Sequence, residues 1–219
     1  MVIASKCPVA KVKVGSGDDA GRVEAVRQAL GPSGRVRVDA NGRWTVDEAA
    51  RKLRELNRFD LEYAEQPVRT VEEMAALRKR VNVPLAADEA IRTDHDSARV
   101  KVLRAADIVV LKVQPLGGVR ACMRIAERTG LPAVVSSALE TSVGIAAGLA
   151  LAAALPELPH ACGLGTVGLL AGDVTSDPLL PVAGHIELRR PEPDPPAKWA
   201  ATERTGWWVD RAGVAGGLG

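Results

Sequence analysis

Short apolar runs alternate with longer stretches of helical periodicity over most of the chain. The apolar runs are rich in β-branched residues and predict seven strands, near residues 10–14, 35–39, 61–65, 84–88, 107–112, 132–136 and 159–163. The stretches between them predict six helices, near residues 18–30, 45–57, 70–81, 94–104, 117–129 and 141–154. Asp18, Thr45, Thr70 and Thr93 lie where side chains commonly cap a helix start. This alternation is typical of an α/β protein with a parallel sheet and helices packed outside it.

The alternation stops before a proline-rich segment near the C-terminus. Four of the six residues from Pro191 to Pro196 are proline, which predicts one domain over residues 1–190 and an extended tail over residues 191–219. The tail contains three of the four tryptophans, Trp199, Trp207 and Trp208. Large aromatic side chains bury much area, so we expect them to dock the tail onto the body or onto a partner surface.

Composition narrows the class of protein. Of the 219 residues, 47% are hydrophobic and 26% are charged, which predicts a soluble domain with a sizeable core. Lys and Arg number 29 against 27 Asp and Glu, without a basic run, which argues against nucleic acid as a partner. The longest apolar stretch has 12 residues, too few to span a bilayer, and the N-terminus resembles no secretion signal. Three widely spaced cysteines indicate a reducing compartment, so we expect a cytoplasmic protein that binds neither nucleic acid nor membrane.

One reactive side chain closes each of five successive predicted strands. In chain order they are Lys13, Asp39, Glu65, Asp88 and Lys112, at separations of 26, 26, 23 and 24 residues. These separations match one strand, one helix and two loops, so each residue recurs at the same point of the repeating unit. In a β/α barrel that point is the C-terminal rim, where side chains from several strands converge on one site.

Three carboxylates in one pocket repel each other unless a cation lies among them. Ligation by oxygen alone suits a hard divalent ion, with Mg²⁺ the first candidate and Mn²⁺ the second, so we interpret Asp39, Glu65 and Asp88 as metal ligands. Lys11 shares a strand face with Lys13. A second ammonium and a nearby cation would both lower the pKa of Lys13, which suits a general base. The alternative is a structural network of ion pairs.

Several segments resemble one known family in order and in spacing. They are Ala-Lys-Val-Lys-Val at 10–14, Val-Asp-Ala-Asn-Gly at 38–42, Glu-Gln-Pro at 65–67, Ala-Asp-Glu at 87–89 and Leu-Lys-Val-Gln-Pro-Leu-Gly-Gly at 111–118. From about residue 8 to the tail, the chain is similar to the barrel of the enolase superfamily, in its muconate-lactonizing branch. Within that branch it resembles the actinobacterial o-succinylbenzoate synthase family, and residues 136–144 and 160–166 share this likeness.

The resemblance implies a TIM-type (β/α)7β barrel and a magnesium-dependent lyase. It implies that Lys13 removes the proton α to the substrate carboxylate, that Lys112 faces the substrate ring, and that the three acids hold Mg²⁺. That family dehydrates 2-succinyl-6-hydroxy-2,4-cyclohexadiene-1-carboxylate to o-succinylbenzoate, a menaquinone precursor, so a small carboxylate substrate is the implied partner. Candidate substrate contacts are Lys11, Asn41, Gly117, Gly118, Ser136 and Ser137. The alternatives for the last five are a turn at Asn41, a helix start at the glycines and helix caps at the serines.

The chain departs from that family in length. An eight-stranded barrel needs about 250 residues, and the segment at 10–14 matches the family's second strand. We therefore expect an incomplete barrel that lacks the first strand and the N-terminal capping domain. The hypothesis of an inactive truncated fragment stays open beside that of a lyase, and the oligomeric state is not predicted.

A different enzyme of the same superfamily is the other alternative. An N-acylamino acid racemase is possible because two opposed lysines can move a proton on either face of an α-carbon. A dipeptide epimerase has less support, since residues 162–165 carry no carboxylate where that relative has an Asp-x-Asp.

Other candidate residues have structural interpretations. Arg37 lies on the strand face of Asp39, which predicts an internal ion pair. Glu89 adjoins Asp88, and we expect packing or an ion pair there rather than metal ligation. His160 has no acidic partner visible in the sequence, and we expect Cys162 to be a small core residue.

Overall fold

A computed structural model of the protein describes residues 7–195 and 202–215. Six strands form one sheet in chain order, and every neighbouring pair is parallel. They are β1 (Val9–Lys13), β2 (Arg35–Asp39), β3 (Leu61–Glu65), β4 (Leu85–Ala87), β5 (Ile108–Leu111) and β6 (Ala133–Val135). Because the strands are parallel and consecutive, all their C-terminal ends lie on one rim.

A helix follows each strand, and a further helix lies near the C-terminus. They are α1 (Asp19–Leu30), α2 (Val46–Leu56), α3 (Val71–Arg78), α4 (Asp94–Leu103), α5 (Val119–Thr129), α6 (Ser142–Ala154) and α7 (Thr202–Ala215). The four predicted caps are confirmed. Asp18 accepts a hydrogen bond from the backbone of Gly21, and Thr45, Thr70 and Thr93 each form a reciprocal capping box with the residue three positions on.

The sheet has an apolar layer on each face. The outer layer packs the strands against the helices through side chains such as Val36, Leu53 and Leu85. The inner layer is smaller and consists of Tyr63, Ala86, Ile108, Val110 and Val134. Alternation along β5 places Ile108 and Val110 inside and their neighbours outside, as the period of two in a strand requires.

The sheet curls strongly. Arg37 of β2 donates from Nη1 to the carbonyl of Ala161, 2.8 Å away, although Ala161 follows β6 at the far side of the sheet. In a flat sheet these two places would lie roughly 20 Å or more apart, at about 4.8 Å per strand. The inward side of the curl is therefore nearly closed by this contact.

The same contact belongs to an internal cluster that confirms the ion pair predicted for Arg37. Its Nε donates to Glu62 Oε2 at 2.6 Å, and its guanidinium lies 4.7 Å from the centre of the Tyr63 ring. His160 Nδ1 lies 3.0 Å from Glu62 Oε1. This acidic partner of His160 was not visible in the sequence, because Glu62 is 98 positions away.

The seventh predicted strand, at 159–163, does not form. Within the described part of the chain it is reduced to one parallel bridge between Ser136 and Gly163, with Gly163 N donating to the carbonyl of Val135 at 2.8 Å. The segment pairs with β6 on one side only, and Pro159 cannot donate to a ladder. Pairing is therefore too short to make a strand.

The segment after the barrel-like region is only partly extended. Residues 170–195 form one isolated bridge, between Val182 and His185, and no helix or strand. Asp173 accepts hydrogen bonds from the backbone N–H and the hydroxyl of Ser142, and so caps α6 from a distant part of the chain.

The helix α7 corrects the prediction of an extended tail to the C-terminus. Trp207 and Trp208 pack edge to face with ring centroids 4.5 Å apart, and they are 54% and 58% exposed. These two rings are therefore not buried against the body, and Trp199 lies outside the described residues. Among the helices that the structure describes, none combines the length and the apolar character needed to cross a bilayer.

Candidate active site

The five predicted site residues all lie on the C-terminal rim. Lys13, Asp39 and Glu65 are the last residues of β1, β2 and β3, and they are register partners in that order. Asp88 and Lys112 come one residue after β4 and β5, so these two strands end slightly earlier than predicted. The rim therefore carries three acids between two lysines across five neighbouring strands.

The three carboxylates are buried. Asp39 and Glu65 are each 1% exposed and Asp88 is 3% exposed. Burying a charge is costly unless it is paired, and each of these acids has an ammonium partner. Lys11 Nζ lies 2.5 Å from Glu65 Oε1 and 3.3 Å from Asp39 Oδ2. The two outer lysines complete the set, with Lys13 Nζ 2.6 Å from Asp39 Oδ2 and Lys112 Nζ 2.5 Å from Asp88 Oδ2.

The pKa values of Glu65 and Asp39 are shifted in opposite directions. Burial raises the pKa of Glu65, and the charges of Asp39 and Asp88 raise it further against the effect of Lys11, to about 7. Burial acts in the same direction on Asp39, but Lys11 and Lys13 outweigh it and lower the pKa of that carboxyl. The pKa of Lys11 is lowered by burial but raised more by Glu65 and Asp39. At Glu65, the contact with Lys11 does not offset the effects of burial and of the neighbouring acids on the pKa.

The donor chemistry fits a hard divalent cation. In the part of the chain that the structure describes, no three His, Cys, Asp or Glu side chains are gathered closely enough to hold one ion as they lie. Each rim carboxylate is turned toward a lysine instead. Nevertheless, three buried oxygen donors stand on adjacent strand ends, and burial and neighbouring acids raise the pKa of Glu65 despite its contact with Lys11. A bound cation would relieve this situation.

Asn41 links three parts of the rim. Its backbone N–H donates to Asp39 Oδ1 at 2.9 Å, its Oδ1 accepts from Lys13 Nζ at 2.8 Å, and its Nδ2 donates to Glu89 Oε1 at 2.8 Å. The residue has φ +47° and is followed by Gly42 with φ +68°, so the predicted turn also forms. For Glu89 we expected packing or an ion pair, and the structure instead shows a hydrogen bond that it accepts from this amide.

Gln66 is a site residue that the sequence reasoning missed. It is fully buried with φ +37°, and its Oε1 accepts from the backbone N–H groups of Asp88 and Ala90 at 2.9 and 3.0 Å. Its Nε2 donates to the carbonyl of Val68 at 2.6 Å. Gln66 therefore fastens the segment that carries Asp88 to the end of β3. The signal was an uncharged polar residue placed directly after a strand-end acid.

The remaining candidates lie on other loops of the same rim. Gly117 and Gly118 have φ values of +86° and +111°, and Gly118 is the N-cap of α5, which agrees with the helix-start interpretation. Ser137 Oγ lies 2.7 Å from Thr166 Oγ1, and Ser136 Oγ donates to the carbonyl of Gly163 at 3.5 Å. The N-cap of α6 is Thr141, so the interpretation of the two serines as helix caps is wrong.

The chain matches one family model and several known proteins. Residues 1–195 match the family described as Enolase C-terminal domain-like. The o-succinylbenzoate synthase of Thermobifida fusca (strain YX) is 63% identical over 195 residues, which are 87% of this chain and 62% of that protein. The o-succinylbenzoate synthase of Mycolicibacterium smegmatis is 54% identical over 211 residues, 92% of this chain and 64% of that protein.

Solved structures give the same fold. The muconate cycloisomerase of Pseudomonas fluorescens superposes with a TM-score of 0.80 at 29% identity, over 87% of this chain and 55% of that chain. The L-Ala-D/L-Glu epimerase of Bacillus subtilis gives 0.77 at 27% identity, over 84% of this chain and 54% of that chain. The chain thus spans a little under two thirds of the length of these curated relatives.

Proposed function

We propose, from the premise that the chain belongs to the Enolase C-terminal domain-like family, that it carries the active site of an o-succinylbenzoate synthase-like lyase. The proposed reaction is the dehydration of 2-succinyl-6-hydroxy-2,4-cyclohexadiene-1-carboxylate to o-succinylbenzoate, a step toward menaquinone. The observation that carries the proposal is the rim itself, with three buried acids between Lys13 and Lys112. The 63% identity to a protein named o-succinylbenzoate synthase supports this choice of reaction.

Family membership implies a divalent metal ion, and we propose Mg²⁺, with Mn²⁺ as the alternative. Asp39, Glu65 and Asp88 are the residues that would hold it, since they are the three buried acids at the rim. Bound there, the ion supplies positive charge to the substrate carboxylate while the neighbouring carbon loses its proton. Lys11 bridges Glu65 and Asp39, so we assign it to charge balance beneath the substrate as well as to substrate contact.

Lys13 is the proposed base. Its side chain is 64% exposed, although its ammonium contacts buried Asp39, so it can reach a substrate in the mouth. The C–H bond α to the carboxylate breaks, its electron pair stays on the substrate, and the proton passes to Lys13 Nζ. The same proton then leaves with the substrate hydroxyl as water, and the carbon–oxygen bond breaks with the electron pair on the departing oxygen. The product ring gains its last double bond, and the lysine returns to its starting state.

Lys112 is the proposed partner on the other side of the substrate. Its side chain is 17% exposed, and its ammonium is held by Asp88. Facing the ring, this ammonium stabilises the negative charge that develops during proton removal. Gly117, Gly118, Ser136 and Ser137 lie on loops of the same rim, where we propose that they contact the remainder of the substrate.

The sheet is proposed to be the larger part of a (β/α)7β barrel. Among the described residues, β1 pairs only with β2, and the segment at Gly163 pairs only with β6. The six strands, the segment at Gly163 and one further strand between these two edges would together make eight.

The proposal is tested by assaying the purified chain with Mg²⁺ and the diene carboxylate, following o-succinylbenzoate by chromatography. We expect turnover that chelation by EDTA abolishes. Lys13→Ala should remove turnover, whereas Lys79→Ala, at an exposed position after α3, should retain it.

Two results would contradict the proposal. Racemisation of N-acylamino acids without dehydration would favour the racemase, which two opposed lysines could also support. Absence of both reactions in a folded chain would favour the inactive fragment.

A further inference from the structure

The amide of Asn41 is held in one orientation by its neighbours. An asparagine side chain has an accepting oxygen at one end and a donating NH₂ group at the other. The carboxylate of Glu89 can only accept, so it binds the NH₂ group, with Asn41 Nδ2 2.8 Å from Glu89 Oε1. The oxygen of the amide must then face the other way, where it accepts from Lys13 Nζ at 2.8 Å.

Glu89 is itself held in a rigid setting. It follows Asp88, whose backbone N–H donates to buried Gln66, and Ala90 on its other side donates to the same Gln66 oxygen. Its second oxygen, Oε2, is buried and has no hydrogen-bond partner among the described residues. A buried carboxylate oxygen without a partner destabilises a fold. Glu89 therefore serves poorly as a purely structural residue.

We propose that Glu89 and Asn41 are positioning residues for Lys13, which makes Glu89 a functional residue of the rim although it neither binds metal nor touches substrate. The inference rests on the function proposed above for Lys13. Glu89 orients the amide of Asn41, and the amide oxygen holds one N–H of Lys13. Asp39 holds a second N–H of the ammonium. The remaining direction on nitrogen then faces the open mouth, where the substrate proton arrives.

Lys13 makes two contacts that we assign to different functions. Its bond to Asp39 involves a proposed metal ligand, whereas its bond to Asn41 involves a neutral group that no metal requires. Asn41 is thus the partner that can keep the amine in place when the carboxylate of Asp39 serves as the proposed metal ligand. This role differs from the substrate contact that the sequence suggested for Asn41.

Competitive labelling of lysine amines tests the positioning directly. The chain is treated with a trace of acetic anhydride, and the acetylation rates of Lys13 and Lys112 are read by mass spectrometry from their two peptides in the same digest. We expect Glu89→Ala to raise the rate at Lys13 by about three- to tenfold, because the amine is no longer held by an oriented acceptor. The rate at Lys112 should stay within twofold.

Three further variants sharpen this test. Asn41→Gly removes the amide and suits the positive φ of that position, so it should fold and reproduce the rise at Lys13. Glu89→Gln keeps an oxygen that can accept from Asn41, so its rate should remain within twofold of the parent chain. Glu127→Ala, on the exposed face of α5, is the matched control and should change neither lysine.

Turnover supplies a second readout that separates this inference from the proposed function. In an active chain, Glu89→Ala should lower kcat about tenfold or more with KM within twofold, and Glu89→Gln should restore most of kcat. A raised Lys13 rate in a chain that dehydrates nothing would overturn the proposed function and leave the positioning intact. An unchanged Lys13 rate in both folded Glu89→Ala and folded Asn41→Gly would overturn the positioning, whatever the turnover.

Discussion

Glu62 and Glu65 lie three residues apart on β3, whose register against β2 is irregular near Glu62, and their two carboxylates have different charge environments. Burial would raise the pKa of Glu62, but hydrogen bonds from Arg37, His160 and Arg35 and the charge of Arg37 lower it. Burial also raises the pKa of Glu65, and the neighbouring acids add to this, so that it reaches about 7. At Glu62 the surrounding cations outweigh the effect of burial on the pKa, whereas at Glu65 the ammonium of Lys11 does not.

This difference separates a structural cluster from a chemical one. The Glu62 cluster lies farther from the C-terminal rim and joins β2 and β3 to the segment after β6 through Arg37 and His160. The Glu65 cluster lies at the rim, where lysines rather than arginines face the acids. Arginine forms fixed, permanently charged pairs, whereas lysine can exchange protons and be displaced by another cation. Substitutions at the two clusters should therefore affect different properties.

The largest expected effect is on activity at the rim. Glu65→Gln removes one of three proposed metal ligands, and we expect kcat/KM to fall roughly 10³-fold or more. Titration calorimetry with Mg²⁺ or Mn²⁺ should show loss of binding, while the free energy of unfolding stays near that of the parent chain. Glu72→Gln on α3 is the control. Retained metal affinity in Glu65→Gln would remove Glu65 from the ligand set.

Substitutions in the Glu62 cluster should change the stability of the fold. Arg37→Met leaves Glu62 without its shortest partner and frees the carbonyl of Ala161, so we expect the free energy of unfolding to fall by about 3–5 kcal/mol in urea titrations. Arg35→Gln is the matched control, because Arg35 binds the same carboxylate from a position that is 57% exposed. Its cost should be about 1 kcal/mol or less. Equal losses in the two variants would show that burial does not distinguish these pairs.

Lowering the pH should reduce the stability that the Glu62 cluster contributes. The pKa of Glu62 is lower in the folded chain than the value of about 4.3 expected when unfolded. Such a group contributes stability above its unfolded pKa, and this contribution is lost as the pH falls through its folded pKa. Urea titrations between pH 6 and pH 3 should therefore show a declining free energy of unfolding. The decline should be shallower in Glu62→Gln, and identical slopes would contradict the assignment.

The smallest effect concerns a position outside both clusters. Thr70 caps α3, and its hydroxyl accepts from the backbone of Glu73 at 3.2 Å. Thr70→Ala should lower the free energy of unfolding by about 1 kcal/mol, measured by thermal denaturation, without changing metal binding or the labelling of Lys13. A change in either rim property would show that α3 is coupled to the site.

The order of the elements and the phase of the rim residues followed from local patterns. Lys13, Asp39, Glu65, Asp88 and Lys112 recur at one point of a repeating unit, and the parallel register then sets the first three side by side. The helix caps were equally local, since each involves residues within a single turn.

The predictions that were wrong or missing concern features that depend on more than the neighbouring residues. The segment at 159–163 continues the alternation of strands and helices, but among the described residues it forms only one bridge, to the residue after β6. Gln66 carried no periodic signal, and its role arises from an unusual backbone angle that aims its amide at the end of β4. The helix after residue 201 follows a proline-rich segment that favours extended chain, yet its own residues are compatible with a helix.

The amino-acid sequence by itself determined which residue types end the strands and at what spacing, because strand and helix periods are properties of neighbouring residues. The tertiary structure decided which of these groups meet and what charge each carries. The bond from Arg37 to Ala161 joins positions 124 residues apart and exists only because the sheet curls. The contrast between Glu62 and Glu65 depends on burial and on distances between strands, and neither can be read from the order of residues along one chain.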